Sequence, residues 1–207
     1  MKKRVNLTTP RLLLRPFELS DAPQVQELVG DKAIADTTLN IPYPYENSMA
    51  VQWISTHKSK SEAGELINLA ITLSHTQELI GSIGLIINKR FNHAELGYWI
   101  GKKYWNNGYC TEAAKAVLEL AFNQLDLHKV IANHITRNSN SGKVMRKIGM
   151  TKEGLLKEHV IKWDKYEDVV SYAILKKEWI KNEESNNYWC LIRNRKRTYK
   201  KIRFSWL

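Results

Sequence analysis

The stretch 94-AELGYWIGKKYWNNGYCTEAAKAVLELAF-122 changes its hydrophobic period halfway along. Its first seven residues read as a strand, and its second half places Ala114, Val117, Leu118 and Ala121, with Leu125 beyond, on one helical stripe. Between them, 101-GKKYWNNGYC-110 brings two Asn and a Gly to the start of a long helix. The first turn of a helix carries N–H groups without intrahelical partners and a partial positive charge, so such an approach invites an anion. The letters exclude two familiar anion sites: a mononucleotide loop needs a Lys-Ser or Lys-Thr after its last Gly, and a dinucleotide fingerprint needs three spaced glycines. What remains is a loop whose amides from Asn106 to Thr111 can ring a pyrophosphate without a metal. A plain tight turn from strand to helix is the competing reading.

Outward from this point the chain alternates short elements with short connectors. Leu12–Phe17 reads as a strand after the turn at Thr9 and Pro10, and Ser20 or Asp21 can cap a helix to about Val29, with Pro23 in its opening turn. The prolines of 40-NIPYPY-45 make it a loop, and a second helix is predicted from Ser48 to Ser61. Three strand-like runs follow, 67-INLAITL-73, 79-LIGSIGLII-87 and 94-AELGYWI-100. Beyond the long helix come a strand at Lys129–His134, a helix at about Ser141–Ile148, and two runs at Thr151–Ile161 and Glu167–Leu175. The pattern is mixed α/β, with an antiparallel front and a strand–helix–strand unit behind it.

Composition bounds the rest. A chain of 207 residues, 43% hydrophobic, suits one domain. Cys110 and Cys190 stand far apart, no apolar signal segment opens the chain, and no run is long enough to span a bilayer, so a cytoplasmic protein with reduced thiols and no membrane partner is expected. The net charge of +11 is unevenly spread: residues 185–207 hold seven of the 32 basic residues and no acid, which leaves 25 basic against 21 acidic residues in the body. That body gives no reason to expect a DNA-binding face and suits a ligand with several phosphates. The segment 181–207 reads as a basic tail outside the core, an appendage or a surface for RNA or anions, and residues 1–180 as the folded domain. The histidines 57, 75, 93, 128, 134 and 159 show no metal-ligand spacing, and no metal is expected.

Four ordered segments carry a resemblance. The stretch 94-AELGYWIGKKYWNNGYCTEA-113 resembles the acetyl-coenzyme A motif Q/R-x-x-G-x-G/A of the Gcn5-related N-acetyltransferase (GNAT) superfamily, with Trp105 in place of the Q/R and Cys110 in place of the last small residue. The segment 138-NSNSGKVMRKIGM-150 resembles its N-x-x-S-x-x-x-x-x-x-G-F/M run, and 8-TTPRLLLRPFELSD-21 and 153-EGLLKEHVIKWDKYEDVVSYAIL-175 resemble the opening and closing hairpin of the branch containing the ribosomal-protein N-terminal acetyltransferases RimJ and RimL. The resemblance spans residues 7 to 180. It implies a central, mostly antiparallel splayed sheet of about seven strands flanked by about four helices.

It also implies roles. The strand before the loop would splay from its neighbour and meet the pantetheine arm of acetyl-CoA at Tyr98, Trp99 and Ile100. The pyrophosphate would sit on the amides of Asn106, Asn107, Gly108, Tyr109, Cys110 and Thr111. Asn138 would contact pantetheine and Lys143 the 3′-phosphate, unless Lys143 belongs to an ordinary solvated basic face. Glu95 is the first candidate for the base that deprotonates the amine, with an exposed cross-strand carboxylate as the alternative. Another arrangement in the superfamily uses a Glu and a Tyr at positions that hold Asn133 and Met145 here, which speaks against it for this chain. Ser141 would donate a hydrogen bond to the departing thiolate, or cap its helix, or both. Glu158 and His159 are displaced substitutes for a carboxylate near the thioester on the closing hairpin.

The loop 40-NIPYPYENSMAVQW-53 is expected to line the acceptor side, and its lack of an acidic cluster speaks against polycationic acceptors. Three function classes follow: an acetyl-CoA-dependent N-acetyltransferase acting on a protein N-terminal amine such as that of a ribosomal protein, a small-molecule amine acetyltransferase, and a non-enzymatic acyl-CoA- or RNA-binding module. Self-association as a homodimer stays open.

Overall fold

A cut runs through the sheet where β5 (His93–Ile100) leaves β6 (Lys129–Ile135). These two strands are parallel and pair only as His93 with Lys129, Ala94 with Val130 and Glu95 with Ile131. Beyond Glu95, β5 stays with its other neighbour, β4 (Leu79–Asn88), as far as the Gly81–Ile100 pair. Among the described residues, the backbone edge of β5 that would face β6 is therefore left without a strand partner over Leu96–Ile100. The structure, a computed structural model, describes residues 5–181.

Eight strands form one sheet in the order β1-β2-β3-β4-β5-β6-β8-β7. The remaining strands are β1 (Leu7–Thr8), β2 (Leu12–Pro16), β3 (Leu66–Leu73), β7 (Thr151–Lys162) and β8 (Lys165–Leu175). Every neighbouring pair except β5–β6 is antiparallel. The one parallel pair needs a crossover, and the long helix α4 (Tyr109–Glu119) supplies it. The sheet exceeds the expected seven strands because of β1, two residues that become a strand only by pairing with Leu13 and Leu14 of β2.

Two helical layers cover the sheet. On one face α1 (Ala22–Val29) and α3 (Asn47–Glu62) bury Val25, Leu28, Val29, Ala50 and Ile54 against Ala70 and Leu79, with Trp99 packed alongside. On the other, α4 and α5 (Ser139–Lys147) bury Ala113, Ala114, Val117, Leu118 and Met145 against Leu69, Ile83, Leu85 and Leu96. Alternation along β5 thus sends Glu95, Gly97 and Trp99 to the first face and Leu96, Tyr98 and Ile100 to the second.

Two local readings change. The first helix does begin after Asp21 with Pro23 in its opening turn, but the Asp21 side chain does not cap it. It is 9% exposed and takes two hydrogen bonds from Arg15, at 2.8 and 2.7 Å, and one from the Glu18 amide at 2.8 Å. A short helix, α2 (Lys32–Thr37), stands between the expected first and second helices, capped by Asp31, which accepts from the Ala33 amide at 2.9 Å. With a further helical segment at residues 176–181, the described helices also outnumber the expected four. That last segment belongs to the core: Trp179 is 8% exposed and its ring lies 5.9 Å from that of Phe122. The basic tail, with Cys190, lies outside the described residues. Among the described residues no helix is long and apolar enough to cross a membrane.

Candidate active site

The parting of β5 and β6 opens into a cavity of about 890 Å³ that reaches from the start of α4 to the helices of the opposite face. Its wall includes Tyr98, Trp99, Ile100, Asn106, Gly108, Tyr109, Cys110 and Thr111 from the splayed strand and the loop, and Asn138, Ser141 and Lys143 from the start of α5. Glu95 lines it as well. Apart from the closing-hairpin substitutes Glu158 and His159, twelve of the thirteen candidate residues thus meet around one space, and Asn107 does not.

The loop explains this exception. Gly108 precedes α4 with φ +77 and Asn106 has φ +62, so two left-handed residues flank Asn107. The Asn107 carbonyl is taken by Arg11, whose Nη1 donates to it at 3.0 Å, and its side chain donates back to the carbonyls of Tyr104 and Trp105 at 3.2 and 3.0 Å. Arg11 is in turn clamped by Glu112 in the first turn of α4, with Nε to Oε2 at 2.7 Å and the Arg11 amide to Oε1 at 3.0 Å. Burial works against ionisation of Glu112, but hydrogen bonds from Thr9 and Arg11 outweigh it and hold this carboxyl below its usual range. The guanidinium also lies 4.7 Å over the Tyr109 ring. Sequence reading missed this clamp, because its halves are 101 residues apart.

Trp105 uses its position differently from a Gln or Arg. Its indole Nε1 donates to the Ile100 carbonyl at 2.6 Å, which occupies the last acceptor of the splayed strand. Cys110 is a small side chain at the helix start, and burial pushes its thiol far up, which leaves it a packing group and no nucleophile.

At the crossing point of the sheet, Asn133 Nδ2 donates to Glu95 Oε1 at 3.1 Å. Asn133 Oδ1 is buried beside the cavity without a hydrogen-bond partner among the described residues. Glu158 and His159, the substitutes considered on the closing hairpin, are exposed at an irregularity of β7 and line no part of the cavity. The Glu158 amide donates to Asp168 at 2.8 Å.

The helix cap is corrected. Asn138, not Ser141, caps α5: its Oδ1 accepts from the Ser141 amide at 3.2 Å, while its Nδ2 donates to the Thr37 carbonyl at 2.8 Å. Ser141 lies inside the first turn, and its hydroxyl meets Tyr98 Oη at 2.8 Å. Lys143 donates to Asn140 Oδ1 at 3.1 Å on the exposed side of the cavity mouth.

The far half of the cavity mixes apolar and polar side chains and carries one hydrogen-bonded seam. His57 on α3 pairs through Nε2 with Asn68 Nδ2 at 3.1 Å, and Ser82 donates to Asn68 Oδ1 at 3.0 Å. The rings of Phe17 and Trp53 pack edge-on to His57 at 5.5 and 4.5 Å. Gly97 stands opposite Gly84 on β4, and a Cβ built at Gly97 meets nothing within 4 Å. At Gly97 the sheet is therefore bare between the polar seam, whose Asn68 covers Gly84, and Glu95. The expected acceptor loop contributes Asn40, Ile41, Tyr45 and, from α3, Trp53.

A sheet opened between two parallel strands, with a helix start at the opening and a cavity through the gap, is the arrangement expected of an acyl-coenzyme A transferase. Residues 11–151 match the family described as an acetyltransferase (GNAT) domain. An uncharacterized N-acetyltransferase of Bacillus subtilis, YnaD, is 34% identical over 177 residues, covering 84% of this chain and 99% of that relative. The crystal structure of a GNAT-family acetyltransferase from Bacillus anthracis superposes with a TM-score of 0.75 at 29% identity, over 84% of this chain and 99% of that one. More distantly, the Escherichia coli alanine N-acetyltransferase of ribosomal protein uS5 is 28% identical over 105 residues, half of this chain and 54% of that relative. The chain belongs to the GNAT acetyltransferase family. It is an N-acetyltransferase, and acetyl-CoA is its cosubstrate, which sets aside the reading as a mere binding module.

Proposed function

We propose that this enzyme acetylates the N-terminal amine of a protein, with Glu95 as the base and Ser141 at the leaving sulfur. The observation that carries this reading is the cavity that runs from the helix start through the β5–β6 gap to Glu95 and the bare strip at Gly97. The amides of Asn106 and of Gly108 to Thr111 receive the pyrophosphate; with its carbonyl held by Arg11, Asn107 shapes the loop. The free edge of β5 offers backbone groups to the amides of the pantetheine arm, as an open strand edge does to any extended chain. In this reading the thioester lies near Glu95 and Ser141, and the amine loses a proton there and attacks the carbonyl carbon.

The choice of acceptor rests on charge. The carboxylates lining the cavity are Glu65 and Glu95, set against Lys60, Lys143 and Lys147. A polyamine or aminoglycoside would bring several positive charges to a wall that does not offset them, whereas a single amine asks for one carboxylate. The distant likeness to a uS5-alanine acetyltransferase points the same way.

The test is coenzyme A release in the presence of acetyl-CoA and a panel of acceptors: peptides beginning with Ala, Ser or Met, spermidine, and an aminoglycoside. Peptides are expected to turn over fastest. Turnover of the polycations without any peptide activity overturns the reading in favour of a small-molecule acetyltransferase.

A further inference from the structure

Freed from capping, the Ser141 hydroxyl has one partner among the described residues, Tyr98. The pair bridges the two lips of the gap. Tyr98 is on the part of β5 that has left β6, and Ser141 is in the first turn of the helix that follows β6. Tyr98 Oη lies 2.8 Å from Ser141 Oγ and 3.2 Å from the Ser141 carbonyl oxygen, and both side chains border the cavity. Met145, one turn further along α5, is 1% exposed and has no proton to share.

The phenol has a single proton. Donated to Ser141 Oγ, it leaves the serine hydrogen without a protein acceptor and free to turn into the cavity. Donated to the carbonyl, it leaves Oη as an acceptor that draws the serine hydrogen inward. The first arrangement becomes favourable as negative charge grows on an atom in the cavity, because a chain of two hydroxyls then points one way and its bonds reinforce each other.

We propose that Tyr98 is a positioning residue for the departure of coenzyme A: by donating to Ser141 Oγ it aims the serine hydroxyl at the sulfur. The inference rests on the placement of Ser141 beside the sulfur given above, and extends it to a group on the opposite lip. In the step itself, the amine nitrogen, having given a proton to the base, bonds to the carbonyl carbon. The C–S bond then breaks and its electron pair goes to sulfur. Ser141 and Tyr98 stabilise that pair by hydrogen bonding and keep their own protons. As the oxyanion re-forms the carbonyl, the nitrogen gives its second proton to solvent and the thiolate leaves as an anion, so that an ammonium group and acetyl-CoA become an amide, a thiolate and two protons, one on the base and one in water.

The environment of Tyr98 favours hydrogen bonding over proton transfer from the pair. Burial pushes the Tyr98 phenol above its ordinary 10.0, and the nearby Cys110 adds to this, while the bond to Ser141 opposes it only in part. A phenol whose acidity is lowered in this way is a poor proton source for a departing thiolate.

The experiment titrates the thiol of enzyme-bound coenzyme A by its thiolate ultraviolet absorbance, as a difference against the coenzyme-free protein, in the parent, Tyr98→Phe, Ser141→Ala and the double variant. In the parent the bound thiol should ionise at lower pH than free coenzyme A, and both single variants should return it towards the free value. Turnover should fall by roughly 10-fold in Tyr98→Phe, with the acetyl-CoA Kd changed by less than about 3-fold. The double variant should be no slower than Ser141→Ala, since Tyr98 acts through the serine. Identical thiol titrations in the parent and Tyr98→Phe, or additive losses in the double variant, overturn the proposal. A parent that fails to bind coenzyme A would refute the transferase reading instead. Should Tyr98→Phe not fold, fluorotyrosine placed at position 98 keeps the shape and strengthens the donor. It must then lower the pH of thiol ionisation further, and an unchanged titration counts against the proposal.

Discussion

Asn133 reaches across the last paired rung between β5 and β6 to hold Glu95, its Nδ2 donating to Oε1 at 3.1 Å. The bond fixes one carboxylate oxygen and leaves the other free to take a proton from an amine in the cavity. Protonated amine is the dominant form near neutrality, so the base matters most there. Glu95→Gln should lower turnover by roughly 10²-fold near neutral pH and lose less at alkaline pH. A pH–rate profile checks this; a variant as active as the parent at every pH removes Glu95 from the mechanism.

The bare strip at Gly97 gives a selective handle on the acceptor. A Cβ there meets no neighbour within 4 Å, and β-branched residues suit strands, so Gly97→Val should fold normally. Its methyl groups would stand where the proposed acceptor lies. The acceptor KM should rise by at least ~10-fold while the acetyl-CoA Kd stays within about 2-fold of the parent. Loss of acetyl-CoA binding would show that the strip belongs to the cofactor.

The cofactor loop responds to Gly108, which adopts φ +77. Gly108→Val places a β-branched residue in a conformation such residues rarely take, against the proposed pyrophosphate position. Calorimetry should show acetyl-CoA binding weakened by at least ~10-fold. Unchanged affinity in a folded variant would remove the loop from the phosphate site.

Capping separates Asn138 from its neighbour Ser141. Asn138→Ala removes the bond to the Ser141 amide and another to the Thr37 carbonyl, so it should cost at least about 1 kcal/mol. Ser141→Ala removes no cap and should leave the unfolding curve within about 0.5 kcal/mol of the parent. Equal destabilisation by the two substitutions would contradict this division.

What was legible in the sequence follows from how local each cause is. The strands at 67–73, 79–87 and 94–100 announced themselves because apolar runs and turn residues are properties of neighbouring letters; the strands observed are Leu66–Leu73, Leu79–Asn88 and His93–Ile100. The helix start at Gly108 was readable for the same reason. The helix Lys32–Thr37 escaped because six residues are too few to display a stripe, although its cap, Asp31, was in plain sight. Asn138 and Ser141 are equally good capping letters, and only the backbone tells which one is outside the helix. The Glu95–Asn133 contact was beyond reach because it depends on a parallel register, Glu95 beside Ile131, that no local signal encodes. The Arg11–Glu112 clamp and the Tyr98–Ser141 bridge join distant segments through the same tertiary geometry.

His57 provides a pH test of the far wall of the cavity. The ring is 9% exposed, with the edges of Phe17 and Trp53 against it. Burial lowers its pKa from 6.5 to about 4, and the charge of Lys60 contributes in the same direction. The folded state thus disfavours the protonated ring, whereas in the unfolded chain it titrates near 6.5. Between those two values the unfolded state binds the extra proton, so stability falls as the pH is lowered through the window and is unaffected by this group above about pH 7. The slope attributable to His57 is at most about 1.4 kcal/mol per pH unit. Denaturant unfolding at pH 7, 6 and 5 should show the parent losing stability faster than His57→Gln, which keeps a group able to accept from Asn68 but has no proton to gain. The two proteins should differ least in slope above pH 7 and most near pH 5. Parallel pH dependences would mean that the imidazole is protonated as easily in the folded wall as in the unfolded chain, and that the seam from His57 through Asn68 to Ser82 is open to water.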